Sequence, residues 1–140
     1  MATWQDVVNW VERAEYIRVE RSSGGGALTV TMAWTDGRSQ WAMVTNHSFG
    51  GSQCVGLRSL IVPLKPDDDA FARNQAANIL LAMTPERQTD VPFGLIVIGD
   101  AIWMSTALLL QGLTWPQLEF ALTTILTTSD ALQKQFDFDL

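Results

Sequence analysis

Two side chains able to act as a nucleophile and a base stand close together in the sequence: Cys54, the only cysteine, and His47, the only histidine. A cysteine becomes reactive when a neighbouring group stabilises its thiolate, and imidazole is a common partner. The two residues fall on neighbouring predicted elements, so a Cys-His pair is conceivable. Because nothing in the local sequence marks an activated thiol, we predict a capping or solvent-exposed role for His47.

Three consecutive aspartates, Asp67 to Asp69, form the second cluster with chemical potential. Calcium loops place their ligands at alternate positions, which this run does not do, and the Cys and His residues that zinc requires are too few. Carboxylates at this spacing suit the positive end of a helix dipole. We therefore predict that the run opens a helix, and that the protein has no catalytic residue, no metal site and no cofactor.

Tryptophan is unusually frequent, with six residues in a chain of 140. Trp10 falls off the apolar stripe of the first predicted helix, and Trp115 lies within a predicted helix cap. We expect both at the surface, where tryptophan anchors protein contacts. The other four fall at predicted core positions: Trp4, Trp34, Trp41 and Trp103.

The charge balance excludes several classes of partner. Nine Lys and Arg residues stand against fifteen Asp and Glu residues, for a net charge of −6, and the basic residues are scattered singly. Nucleic acids and anionic membrane surfaces are bound by basic clusters, so neither is an expected partner. A single cysteine forms no internal disulfide, and the chain begins without the pattern of a secretory signal. We expect one cytoplasmic domain spanning residues 1–140.

The elements follow from periodicity and turn residues. Apolar residues at helical spacing predict a first helix from Thr3 to Glu15, capped by Thr3 with Asp6 three residues on. A short strand follows over 16–21. Residues 27–46 alternate as a hairpin around Asp36-Gly37, where we predict a two-residue type I′ turn. The register then pairs Met32 with Trp41 and Val30 with Met43. In that register the apolar side chains share one face, and Thr29, Thr31, Gln40 and Ala42 take the other.

Periodicity and turn residues also predict the elements of the second half of the chain. After a loop at 48–52 we predict a strand over 53–63, a helix from Asp67 that ends at Pro85, a hairpin of 93–98 with 101–110, and a last helix from Thr114. The apolar stretch from Val91 to Leu110 contains Gly99-Asp100, which favours two strands and a turn over a membrane span. The predicted class is α+β, an antiparallel sheet with helices packed on it, in the order α-β-β-β-β-α-β-β-α.

The second hairpin is apolar on both sides. Its predicted register pairs Ile96 with Trp103 and Ile98 with Ala101 on one face, while the opposite face is equally apolar. One explanation is a central hairpin covered on both sides within the same chain. The alternative is a face covered by a second copy or by another protein. On that alternative, Ile96, Ile98 and Trp103, together with Trp10 and Trp115, form the partner or dimer surface.

Several segments resemble the YbjN-type proteins, which share the fold of type III secretion chaperones. The segments are Leu57–Pro63, a helix with Asn74 and Asn78, the hairpin Gly94–Met104, and Leu113-Thr114 before a long last helix. The resemblance implies a helix-covered antiparallel sheet, a homodimer and non-enzymatic binding of a protein client.

We therefore expect a chaperone-like or adaptor domain that binds a protein partner of unidentified nature. Two alternatives stay open. One is a dimeric regulatory or scaffolding domain without an unfolded client, and the other is a small-molecule binder or an enzyme.

Overall fold

The computed structural model describes residues 2–63, 94–98 and 101–135. Within these ranges a six-stranded sheet carries a helix before it and a helix after it, which confirms the predicted α+β class. The helix predicted from Asp67 lies outside the described residues. The elements are α1 (Trp4–Arg13), β1 (Arg18–Arg21), β2 (Ala27–Ala33), β3 (Ser39–Phe49), β4 (Ser52–Pro63), β5 (Gly94–Ile98), β6 (Ala101–Leu109) and α2 (Trp115–Gln135).

The strands lie in the order β1-β2-β3-β4-β6-β5, and every neighbouring pair is antiparallel. The first four strands follow the chain as a meander. Strand β6 then lies between β4 and β5, so the second hairpin joins the sheet through its later strand. Strands β1 and β5 form the two edges of the described sheet.

Both helices begin at the caps that the sequence predicts. The Thr3 hydroxyl accepts a hydrogen bond from the Asp6 backbone N–H, and the Asp6 carboxylate accepts one from the Thr3 N–H, which completes a capping box. At the start of α2, the Thr114 N–H donates to the Gln117 side-chain oxygen at 3.0 Å. These bonds satisfy backbone donors that have no partner inside the helix.

The first hairpin corrects the predicted turn. The Trp34 N–H donates to the Arg38 carbonyl at 2.8 Å, and the Gly37 N–H donates to the Trp34 carbonyl at 3.2 Å. The loop therefore holds three residues rather than two, with Gly37 at a φ of +85°. The Asp36 carboxylate accepts a bond from the Arg38 N–H at 3.0 Å. This bond favours the longer loop.

One extra loop residue shifts the register by one and exchanges the faces of β3. Met32 pairs with Gln40 and Thr31 pairs with Trp41, so the predicted pairing of Met32 with Trp41 is wrong. Gln40 and Ala42 are buried, whereas Trp41 is only partly buried on the other side of the sheet.

A two-residue turn with both residues at positive φ occurs one hairpin later. Gly50 and Gly51, at φ of +58° and +82°, lie between the paired residues Phe49 and Ser52. The predicted loop over 48–52 is therefore a tight turn between two long strands. Two glycines adopt these angles without the steric cost that a Cβ would bring.

The register predicted for the second hairpin is confirmed. Ile96 pairs with Trp103 and Ile98 pairs with Ala101, as counted from the turn. The β6 residues on the opposite face, Ile102 and Met104, are fully buried.

The core lies between α1, α2 and one side of the sheet, which we call the core face. Apolar residues at helical spacing from Leu118 to Leu132 predict one buried stripe on the last helix, and the structure confirms it, since the residues of that stripe are all buried. Fully burying one such side chain contributes about 1.5–3 kcal/mol. The core-face residues are Leu28, Val30, Ala42, Val44, Val55, Leu57, Ile61, Ile102 and Met104, and α2 adds Leu118, Ala121, Leu122, Ile125, Leu126 and Leu132.

A buried polar group accompanies an irregularity in β4. The β4–β6 register shifts between Leu60 and Val62, and the Leu60 carbonyl accepts side-chain bonds from Gln40 and from Gln133, both at 2.9 Å. The Gln40 amide also donates to the Ser59 hydroxyl at 2.7 Å. Because the side chains of Gln40, Ser59 and Gln133 are buried, these bonds offset the cost of removing them from water. They also connect α2 with β3 and β4.

A second polar tie joins α2 to the first hairpin. Arg38 donates to the Asp130 carboxylate from Nε at 3.1 Å and from Nη2 at 2.9 Å. The Lys134 ammonium lies 3.4 Å from the other Asp130 oxygen, and 3.3 Å from Asp36 in the hairpin loop. The ion pairs therefore connect the β2–β3 loop with the last two turns of α2.

Candidate protein-binding surface

The side of the sheet opposite the core face carries a distinct set of residues, which we call the second face. Neither α1 nor α2 packs on it, because their buried side chains belong to the core cluster on the other side. Its members alternate with the core residues along each strand. On the three strands β3, β4 and β6 they are Trp41, Met43, Thr45 and His47 of β3, Cys54, Gly56, Arg58 and Leu60 of β4, and Trp103, Ser105, Ala107 and Leu109 of β6.

Two tryptophans and an arginine meet at the middle of the second face. The rings of Trp41 and Trp103 contact edge to face, with centroids 5.5 Å apart and planes at 82°. The Arg58 guanidinium lies 5.3 Å from the centre of the Trp103 ring, within the range of a cation–π interaction. Met43, also on this face, has its sulfur 3.6 Å from Arg58 Nη2. All four side chains are partly exposed.

A concave site of about 340 Å³ lies beside this cluster. Its lining includes Thr45 and His47 from β3, Gly56 and Arg58 from β4, and Ser105 from β6. Gly56 makes the close packing there possible: a Cβ on it would lie 2.6 Å from Thr45 Oγ1 and 3.0 Å from His47 Cε1. Because Gly56 has no side chain, the side chains of Thr45 and His47 can pack against the backbone of β4.

The second face also holds two buried N–H donors without an acceptor in the structure: Arg58 Nε and Trp103 Nε1. A buried donor that lacks a partner costs about 1–3 kcal/mol, and such groups are uncommon in folded proteins. Both donors belong to neighbouring side chains on one surface.

The structure distributes the predicted surface residues over two regions. Trp103 lies on the second face, and Ile96 is its register partner on β5. Ile98 pairs with Ala101 at the end of the same hairpin. Trp10 and Trp115 pack partly buried against the core cluster instead, so they are not members of the second face, and their role in a contact stays a prediction. Each packs its large ring onto the periphery of the core.

Two members of the surface were missed by the sequence reasoning. Trp41 was placed in the core because of the assumed two-residue turn, and Arg58 received no role. A signal for Arg58 was present: it is the only Asp, Glu, Lys or Arg residue in strands β3 to β6. A lone charge in the interior strands of a sheet indicates either a specific partner or a position near solvent.

The residues considered for catalysis are close but not arranged as a reactive pair. His47 and Cys54 are register partners across β3 and β4. Cys54 is buried, and its thiol lies 3.7 Å from the Ser52 carbonyl, whereas the His47 imidazole extends over Gly56. Within residues 2–63, 94–98 and 101–135, no three His, Cys, Asp or Glu side chains converge as metal ligands.

Comparisons with known proteins leave the family open. No protein-family model matches the chain, and a search of curated proteins gives no match. In the part of the chain that the structure describes, neither helix is long and apolar enough to cross a lipid bilayer.

Proposed function

We propose that this chain is a non-enzymatic protein-binding domain, chaperone-like or adaptor in type, that uses the second face as its contact surface. The observation that carries the proposal is the cluster of Trp41, Trp103 and Arg58 on the side of the sheet that neither described helix covers. Tryptophan, methionine and arginine are the residue types enriched at protein interfaces. The resemblance to YbjN-type proteins belongs to this proposal.

Three features support binding over catalysis. The second face is a broad sheet surface rather than a deep cleft, and its titratable side chains are few. The central charged group, Arg58, is a recognition group that forms bidentate bonds and stacks on aromatic rings. Among the described residues, the pair considered for catalysis, His47 and Cys54, is not joined by a hydrogen bond, since the Cys54 thiol contacts the Ser52 carbonyl instead.

The partner that we propose is another protein, and a homodimer is a specific form of the proposal. A second copy would bring the same aromatic cluster to the interface, as two-fold symmetry requires. In that case the domain is a dimeric regulatory or scaffolding unit. A cytoplasmic location is also part of the proposal, since the single cysteine offers no disulfide framework.

The test is a pair of charge insertions at two partly exposed apolar positions. Met43→Lys places an ammonium beside Arg58 on the second face, whereas Phe120→Lys places the same charge on α2, where Phe120 is 50% exposed. Sedimentation velocity and affinity capture report self-association and partner binding, and far-UV circular dichroism reports folding. We expect Met43→Lys to fold and to lose association, and Phe120→Lys to behave as the wild type. Association that survives Met43→Lys would contradict the proposal.

A further inference from the structure

One contact on the second face joins an oxidisable group to a cation. The Met43 sulfur lies 3.6 Å from Arg58 Nη2, and the Met43 side chain is partly exposed. The guanidinium also lies over the Trp103 ring, 5.3 Å from its centre. Because a thioether is a weak hydrogen-bond acceptor, this contact uses little of the strength of a charged donor.

The two other methionines of the described residues, Met32 and Met104, belong to the core face. Met104 is fully buried, and its sulfur lies 3.9 Å from the Ser129 hydroxyl. Met32 packs partly buried against the core cluster. Since the oxidation of methionine follows exposure, a peroxide in solution should reach Met43 before it reaches Met104.

Oxidation would change the acceptor that Met43 offers to Arg58. Hydrogen peroxide transfers one oxygen atom to the thioether: the O–O bond breaks, an S–O bond forms, and water leaves. The sulfur gives two electrons to the peroxide in this step. The product is a polar sulfoxide, and its oxygen is a stronger hydrogen-bond acceptor than the thioether sulfur.

The geometry of the contact lets Arg58 bind that oxygen within the protein. Nη2 lies 3.6 Å from the sulfur, and charge-assisted N–H···O bonds span about 2.7–2.9 Å, so an oxygen on the sulfur falls within reach of Nη2. The acceptor is part of the chain itself, and no outside group has to enter. A hydrogen bond from the guanidinium offsets the desolvation that a sulfoxide would otherwise suffer at a partly buried position.

We propose that Met43 is a peroxide-sensitive modification site, and that Arg58 binds the Met43 sulfoxide through a hydrogen bond from Nη2. Oxidation then places a polar group beside the Trp41 and Trp103 rings and engages the guanidinium, so the second face becomes redox-sensitive. A thiol-dependent sulfoxide reductase reverses the step: two thiols form a disulfide, and the oxygen leaves as water. The inference goes beyond the proposed function and does not depend on any partner.

The test measures how much stability the protein loses when Met43 is oxidised, with and without Arg58. Wild type and Arg58→Leu are each treated briefly with hydrogen peroxide, and peptide mass spectrometry gives the fraction of sulfoxide at every methionine. Urea unfolding followed by far-UV circular dichroism gives the midpoint before and after treatment. Met43→Leu, introduced into both proteins, is the matched control, because its change in midpoint reports oxidation at all other sites and is subtracted.

We expect peroxide to convert Met43 before Met104, because only Met43 is partly exposed. Oxidation of Met43 should lower the midpoint of the wild type less than that of Arg58→Leu. The difference should be about 0.7–1.5 M urea, the size expected for one hydrogen bond to a charged group. Equal losses in the two proteins, or a Met43 that stays unoxidised in the folded protein, would overturn the inference.

A second measurement follows the guanidinium directly and needs no comparison of stabilities. In ¹H–¹⁵N NMR of the whole protein, the Arg58 Nε–H signal is assigned with Arg58→Lys. It should shift when Met43 is oxidised, since the same guanidinium donates the new bond. The Nε–H signals of Arg21 and Arg38, which are already paired with carboxylates, should stay in place. An Arg58 signal that does not move in protein carrying the Met43 sulfoxide would also overturn the inference.

Discussion

Removing either partner of the ion pair between Arg38 and Asp130 should destabilise the protein by different amounts. The pair is short, with two donor contacts of 3.1 and 2.9 Å to one oxygen, and its members are unequally exposed. The Asp130 side chain is 7% exposed, whereas that of Arg38 is 37% exposed. Each substitution therefore leaves a charge in a different environment: a buried carboxylate without Arg38, or a partly exposed guanidinium without Asp130.

Arg38→Met leaves a buried carboxylate whose remaining cation, Lys134, lies 3.4 Å away and is half exposed. Breaking a fully buried pair in this way costs about 3–5 kcal/mol. Because Arg38 is more than a third exposed, we discount that figure to about 2–3 kcal/mol. Asp130→Leu leaves an arginine that can return to water, so its cost should be about 1 kcal/mol.

Urea unfolding followed by far-UV circular dichroism measures both losses. With a denaturant dependence of about 2 kcal/mol per molar urea, the midpoint of Arg38→Met should lie roughly 0.5–1 M below that of Asp130→Leu. The double variant should resemble Asp130→Leu, since no unpaired buried charge remains. Equal midpoints, or a lower midpoint for Asp130→Leu, would refute the argument from unequal burial.

Three further outcomes follow from single contacts. Gln40→Leu should cost about 2 kcal/mol in urea unfolding and Gln133→Leu about 1 kcal/mol, because the buried Gln40 amide bonds two acceptors and the buried Gln133 amide bonds one; equal losses would contradict this. Gly56→Ala should lose about 1–3 kcal/mol by the same measurement, because its Cβ meets Thr45 Oγ1 at 2.6 Å, and Thr45→Ala in the same chain should restore most of it. The Arg38 backbone N–H and then Lys134 lower the pKa of Asp36, so the melting-temperature advantage of the wild type over Asp36→Ala should be present at neutral pH and disappear as acid protonates the folded carboxylate. An advantage that persists in strong acid would exclude this cause.

The sequence predicts much of the fold because several local signals agree with one another. The capping residues Thr3 and Thr114, the α2 stripe and the register of the second hairpin are each determined by residues close in the chain. The same counting gave the correct pairing of Ile96 with Trp103, because that hairpin follows a two-residue connection between residues 98 and 101.

The first hairpin shows where such counting fails. Asp36-Gly37 fits both a two-residue turn and a three-residue loop with glycine at its last position. The three-residue loop is favoured by the Asp36 bond to the Arg38 N–H. It is also favoured by the packing of Gln40 under α2, and that packing depends on residues distant in sequence. One residue of difference moved Trp41 from the predicted core to the second face.

The candidate surface was only half predictable for the same reason. Trp103 was recognised because both faces of its hairpin are apolar, but its neighbours Trp41 and Arg58 come from other strands. Their meeting depends on the β3–β4–β6 register, which pairs Arg58 with Met43 on one side and with Ser105 on the other. The sequence pattern within one strand does not indicate which residues of the other strands lie beside it.

The oxidation rates of two methionines test the central claim that the second face is an available contact surface. Met43 is partly exposed on the second face, and Met104 is fully buried on the core face. Mild peroxide oxidation followed by peptide mass spectrometry should convert Met43 to its sulfoxide well before Met104, because oxidation follows exposure, and a bound partner should slow Met43 alone. Oxidation of Met43 as slow as that of Met104 in the free protein would contradict the claim.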